Sequence, residues 1–436
     1  MHPESNLFEG NIMNGNLIIK NASQLVTCSG FKAKTGSAMN DLQVVENGAL
    51  VIEDGLITAV GRTEDIFYDP VESAYVKKGF DVIDAAGRAV LPGFVDSHTH
   101  FVFGGFRAEE FSWRLSGMPY MEIMKRGGGI ANTVDATREA SKAALIESGR
   151  KRLDSMLSFG VTTVEGKSGY GLDAETEIKQ LEVMEALHKI HPVDVVSTYM
   201  GAHAVPEPYK GREDDYIDYM LEEVMPVISH RGLAEFCDIF CEKNVFSIDQ
   251  SRRFLRSAEQ MGFRLKLHAD EIVPLGGTEL AAALGAVSAD HLLHASDKGI
   301  AELADAGVVA TLLPATAFSL KEPYARARAM IDAGCAVALA TDFNPGSCFT
   351  ESIPLLFALA TLYMDMTTEE AVTALTLNGA AALNREAVCG SIDIGKQGDV
   401  IILDSPSYHF LSYHIGVNTV EKVIKKGVPV YDRHRP

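Results

Sequence analysis

The sequence is short of several things, and each shortage narrows what the chain can be. Six cysteines, Cys28, Cys237, Cys241, Cys335, Cys348 and Cys389, are scattered over 436 residues with no C-x-x-C spacing. That excludes a disulfide scaffold and predicts isolated buried thiols in a reducing compartment. Positive charge is scarce too: 39 Lys and Arg face 59 Asp and Glu, a formal charge of −20. Uniform negative charge repels phosphate, which argues against nucleic-acid partners and anionic membrane surfaces. An anionic ligand would then need a local cation to overcome the global field. Long apolar runs are missing, the best being residues 353–364, too short to span a bilayer. The first fifteen residues carry no charged segment followed by an apolar one, so secretion is not signalled and a cytoplasmic location is expected. Low-complexity segments and internal repeats are absent as well.

What is present is an ordinary globular mix, 47% apolar and 22% charged, sufficient for a large core. Both ends share a texture. Residues 16–90 and the last fifty alternate short β-branched runs with Asn-Gly, Asp-Gly and lone Gly, which are strand and turn signals. The two ends therefore predict one small β-sandwich domain, residues 1–90 with 386–436, around a middle domain of residues 91–385.

That middle alternates strand and helix. Eight short apolar runs each end in polar residues: VLPGFVDSHTH, VTTVEGKS, VDVVSTYMGAH, AEFCDIFCEK, FRLKLHADE, VSADHLLHAS, VVATLLPAT and AVALATDFNPG. Helical patterns lie between them, including residues 174–190 and 250–261, and Thr367-Thr368-Glu369-Glu370 reads as a capping box. Eight strand–helix repeats predict an α/β fold, a (β/α)8 barrel; a doubly wound open sheet is the runner-up.

In such a barrel, functional side chains sit at the C-terminal strand ends. His98 and His100 end the first run, His203 the third, His268 the fifth and His291 the sixth. His98-Thr99-His100 is the most informative pair, because side chains at i and i+2 of an extended strand point to one face. With His268 and with Asp342 at the eighth run, they make three neutral nitrogens and one carboxylate. That set suits Zn²⁺ or Fe²⁺ and leaves a position open for water.

VLPGFVDSHTH, LHADE, ATD, TLNGAAAL and GSIDIGKQGDVIILD together resemble the amidohydrolase superfamily across nearly the whole chain beyond the first fifteen residues. Within it, HTHFVFGGFRAEEF, EGKSGYGLD, TYMGAHAVP, FCDIFCEKNVFS, LHADEI, SADHLL and ATDFNPGSC resemble the imidazolonepropionase family. The resemblance implies hydrolysis of the cyclic amide of 4-imidazolone-5-propionate to N-formimino-L-glutamate in histidine degradation. It also implies one zinc or iron ion per chain on His98, His100, His268 and Asp342, and a homodimer. By the same resemblance, Glu271 contacts substrate and handles protons together with His291 and Asp342. Arg107, Tyr170, His203, Asn344, Gly346 and Ser347 match substrate-binding positions. The family often has Thr where Ser347 stands, and serine keeps the hydroxyl. Arg107 offers a planar fork to a substrate carboxylate and would answer the charge problem.

Three features carry less weight. Lys125-Arg126-Gly127-Gly128-Gly129 lacks the ending of a phosphate loop and reads as a lid or helix-opening loop. Lys243 ends the fourth run, where some binuclear relatives of the superfamily use a carboxylated lysine; an ordinary ion-paired lysine is expected. Cys348 has no histidine partner visible in the sequence to activate it. The rival functions are a related deaminase for a guanine-like or formimino substrate and a metal-dependent barrel that binds without turnover.

Overall fold

The computed structural model describes residues 15–67, 69–118, 122, 126 and 128–434. From the N-terminal side come β1 (Leu17–Val26), β2 (Val44–Glu53), β3 (Leu56–Arg62), β4 (Asp81–Asp84) and β5 (Val90–Pro92). Eight strands follow: β6 (Phe94–Asp96), β7 (Val161–Lys167), β8 (Asp194–Ala202), β9 (Phe236–Cys241), β10 (Arg264–Ala269), β11 (Ser288–His291), β12 (Val309–Leu312) and β13 (Val337–Leu339). The C-terminal side adds β14 (Val400–Leu403), β15 (Val420–Lys425) and β16 (Val428–Asp432).

Both chain ends weave into one sheet in the order β16-β15-β14-β5-β1-β2-β3, with β4 also on β1. Asp54-Gly55 joins β2 to β3 with φ of 50° and 81°, and Lys426-Gly427 joins β15 to β16 with 49° and 75°. Positive φ at both central residues gives the turn whose twist matches paired strands. A register shift between Ile19 and Ala22 bends β1, so that its first half pairs with β4 and Leu25 with Val90 of β5. The bent sheet folds around its own core of Leu17, Ile19, Leu50, Ile52, Val400 and Ile424.

β6 to β13 form the predicted barrel, all parallel and in sequential order. A bridge between Thr99 and Phe343 joins its two ends. There His100 N donates to Phe343 O at 2.9 Å and Asp342 N to His98 O at 3.0 Å. Asp96 reinforces the seam by accepting from Thr341 N at 3.0 Å and Thr341 Oγ1 at 2.6 Å. Closure thus places His98, His100 and Asp342 side by side.

The first apolar run is not one strand. It divides at Gly93 into β5, which belongs to the terminal sheet, and β6, which opens the barrel. A Cβ at 93 would run into the side chain of Thr162, so only glycine lets the chain cross there. Helix signals fare well: Asp173 caps Ala174–Ile190, and Thr367 with Glu370 forms the capping box of Thr368–Leu375. The apolar run near 353 is the helix Ile353–Tyr363, and among the described residues no helix is long and apolar enough to cross a membrane. All six cysteines are buried and unpaired.

Candidate active site

At the C-terminal end of the barrel the predicted metal set converges. Asp342 Oδ1 lies 3.5 Å from His98 Nε2 and 3.7 Å from His100 Nε2. The His268 ring is 4.5 Å from that of His98 and 5.7 Å from that of His100. Potential ligand atoms of His98, His100 and Asp342 lie within 4.8 Å of one another, as do those of His98, His268 and His291. Two of these positions are backbone-strained: His291 has φ 76° and Asp342 φ 51°, a region that side chains with a Cβ rarely adopt.

A cation fits this set. His98 Nε2 is buried with no hydrogen-bond partner among the described residues, an orphan that its surroundings otherwise fail to satisfy. Burial, with neighbouring Lys167 and the other histidines adding to it, holds His98, His100 and His268 well below the usual imidazole range. Neutral imidazoles are the form that binds metals. Burial also pushes the Asp342 carboxyl up to about 7, against the hydrogen bond from Thr316 Oγ1 at 2.7 Å.

Above the cluster opens a cavity of about 360 Å³. His100, His268 and Asp342 line it together with Arg107, Tyr170, His203, Glu271, His291, Asn344, Gly346 and Ser347. Every sequence-predicted site residue except His98 therefore faces one cavity, and His98 lies buried beneath it. His203 stacks on His100 at 4.8 Å, and its Nδ1 is 3.1 Å from Gly169 O. A carbonyl only accepts, so Nδ1 carries the proton and Nε2 remains an acceptor. Glu271 Oε2 sits 3.6 Å from His291 Nε2. Burial, then the charges of Asp342 and Glu242, push Glu271 up to about 8, while burial pulls His291 down to about 3.

Arg107 is paired, as its acidic neighbourhood allowed, yet it still faces the cavity. Its Nε and Nη2 donate to Glu110 at 2.9 and 2.5 Å, and Glu110 also accepts from Gly129 N at 2.7 Å. Asn344 shapes its own loop, donating to Asp342 O and Ser347 Oγ and accepting from the N–H groups of Gly346 and Ser347. Of the glycine-rich stretch, Lys125 and Gly127 lie outside the described residues, and Gly129 immediately precedes the helix Ile130–Glu139. Lys243 is exposed, and Cys348 is buried with its thiol pushed up by burial, so neither behaves as a site residue. A larger cavity, about 430 Å³, lies at the opposite barrel end, where its charged groups pair with one another, Lys426 with Asp194 at 3.0 Å and Arg385 with Glu235.

Sequence reasoning missed the acids and bases under the site. Glu165, Lys167, Asp238, Lys266 and Asp290 are fully buried within the barrel. Asp290 Oδ2 meets His98 Nδ1 at 2.6 Å, and Asp238 Oδ2 meets His268 Nδ1 at 3.0 Å. Burial works against the Lys167 charge, but Asp238, Glu165 and Asp290 override it and hold the ammonium above its usual range. The signal was available: charges inside apolar strands, as in VEGK, FCDIF, LKLH and SADH, are costly unless they face one another. Glu242 was also missed; it accepts from Ile272 N at 2.8 Å and so fixes the loop that carries Glu271.

The model of the amidohydrolase family matches residues 89–430. An imidazolonepropionase of Clostridium tetani is 63% identical over 419 residues, 96% of this chain and 99% of that protein. One of Parabacteroides distasonis is 62% identical, covering 95% of this chain and 98% of its own. Among solved structures, an adenosine deaminase from Xanthomonas campestris with bound zinc has a TM-score of 0.64 at 19% identity, covering 95% of this chain and 92% of that one, a likeness of fold alone. On the matched length and the end-to-end relatives, the chain belongs to the amidohydrolase family and groups within it with the imidazolonepropionases.

Proposed function

We propose that the protein hydrolyses the cyclic amide bond of 4-imidazolone-5-propionate to N-formimino-L-glutamate, a step of histidine degradation. The observation that carries this reading is one cavity of about 360 Å³ lined both by Arg107 and by His100, His268 and Asp342. An arginine fork and a metal-binding set in so small a space suit a compact ring with a carboxylate tail. Relatives at 62% and 63% identity bearing the imidazolonepropionase name support it.

His98, His100, His268 and Asp342 would hold one zinc or iron ion per chain, whose Lewis acidity would activate water at neutral pH. Arg107 takes the substrate carboxylate, and Tyr170 and His203 flank the ring. Asn344, Gly346 and Ser347 form the wall behind it. Water adds to the ring carbonyl carbon, the C–N bond breaks, and the ring nitrogen leaves with a proton. Asp342, Glu271 and His291 share the removal of the water's proton and its return to that nitrogen. The barrel of β6 to β13 is catalytic, and the sheet of β1 to β5 with β14 to β16 supports it. The enzyme works in the cytoplasm as a homodimer on a small carboxylate-bearing substrate.

Incubating the purified protein with 4-imidazolone-5-propionate tests the reading, with formiminoglutamate and no free ammonia as the expected result. Ammonia release would identify a deaminase instead, and absence of turnover would leave a binding barrel. A His268→Ala variant with full turnover would remove the metal from the mechanism.

A further inference from the structure

We propose that Asp290 and Asp238 are positioning residues that lock His98 and His268 for the metal, and that Lys167 is the anchor the two locks share. The inference rests on the metal-binding part of the proposed function and not on the identity of the substrate.

A carboxylate presents acceptors to a neutral imidazole, so each Nδ1 in these pairs carries the proton and each Nε2 keeps its lone pair. His98 Nδ1 stands 2.6 Å from Asp290 Oδ2 and His268 Nδ1 3.0 Å from Asp238 Oδ2. The Nε2 of His98 is buried and has no hydrogen-bond partner among the described residues. The same two carboxylate oxygens face one ammonium: Lys167 Nζ is 2.7 Å from Asp238 Oδ2 and 3.4 Å from Asp290 Oδ2. Its third contact is Glu165 Oε1 at 3.1 Å, and Glu165 is held in turn by Lys266 at 2.7 Å. An ammonium has three donors and here meets three carboxylates. These side chains have no exposed surface, so water cannot stand in for a lost partner. The arrangement also spans the barrel. Lys167 comes from β7, Asp238 from β9 and Asp290 from β11, so one group holds together the supports of two ligands on non-adjacent strands.

The test measures zinc release from the zinc-loaded enzyme to a chromophoric chelator, with the visible spectrum of the cobalt-substituted enzyme as a second readout, both without substrate. Asn retains an amide oxygen that accepts Nδ1–H, whereas Leu does not. Asp290→Leu and Asp238→Leu are each expected to weaken zinc retention roughly 10- to 100-fold, while Asp290→Asn and Asp238→Asn stay far closer to the parent. Lys167→Met is expected to weaken retention and shift the cobalt bands. Combined with Asp290→Leu it should lose less than the product of the single effects, because both act on one lock. A purely structural ion cluster predicts lowered thermal stability with unchanged zinc retention and cobalt spectrum, and that outcome in folded variants overturns the proposal. Should the leucine variants fail to fold, a folded Lys167→Met enzyme with parental zinc retention overturns it equally. A wrong substrate assignment would leave all of these readouts unmoved.

Discussion

Arg107 reaches the cavity with two of its nitrogens already bonded to Glu110, which leaves Nη1 beside Gly346. A Cβ at 346 would collide with that nitrogen, so the glycine is the space in which the guanidinium sits. Gly346→Ala should displace the fork and raise KM about tenfold with a smaller effect on kcat. Arg107→Ala should raise KM by roughly 10- to 100-fold, since a charge-assisted hydrogen bond is worth about 1.5–3 kcal/mol. Steady-state kinetics with the carboxylate-bearing substrate decide both, and an unchanged KM removes Arg107 from the site. Glu271 plays a different part. Glu271→Gln keeps the shape of the side chain but cannot carry the proton, and a drop in kcat of roughly 10²- to 10⁴-fold with little change in KM is expected.

At the scale of elements, the helices are held by local signals that can be tested one at a time. Thr367 accepts from Glu370 N at 3.1 Å and donates to Asn40 Oδ1 at 2.7 Å, while Glu370 Oε2 accepts from Thr367 N at 2.9 Å. Thr367→Ala removes the first two of these and should destabilise the protein by about 1–2 kcal/mol, read as a lower urea midpoint with activity per folded molecule intact. No residue of this helix lines the cavity, so a fall in kcat without a fall in stability would contradict this. Strands are less self-sufficient. β5 and β6 form one apolar run, and their division depends on the close approach at Gly93, which no periodicity encodes.

The whole molecule depends on how the terminal sheet docks on the barrel floor. Lys425 of β15 reaches Asp194 of β8 at 2.8 Å and Asp399 at 2.7 Å, and Lys426 reaches Asp194 at 3.0 Å. Burial alone would raise Asp194, but Lys425 and Lys426 more than offset it and hold the carboxyl below its ordinary 3.8. Burial likewise opposes the Lys425 charge, and Asp399 with Asp194 holds it above its ordinary 10.5. A lowered carboxyl gives stability that is present above pH 3.8 and lost as pH falls through the folded value. A raised ammonium gives stability that is present below pH 10.5 and lost as pH rises through its folded value. Docking should therefore be firm between these limits and weaken on both sides. Thermal melts across pH check this: Asp194→Asn should lower Tm at neutral pH and flatten the acid limb relative to the parent. Parallel acid limbs would exclude the pair from the docking energy.

The sequence by itself determined the barrel, because eight apolar runs ending in polar residues impose their own local order, and the histidines fall where strands must end. It determined the sheet built from both chain ends through turn pairs such as Asp54-Gly55, whose backbone preference is local. It also carried the candidate site residues, but largely through likeness to a known family, since spacing alone left His203, Tyr170 and Ser347 without a role. Only the tertiary structure decided what lies beneath. Glu165, Lys167, Asp238 and Asp290 are costly charges in apolar runs one strand at a time, but which of them face one another is set only when closure brings β7, β9 and β11 around one ammonium. The shortage of positive charge takes its final sense from the same closure. The chain is strongly acidic as a whole, yet Arg107 shares one cavity with the neutral His100 and His268, because local charge there follows from burial and contact and not from the global sum.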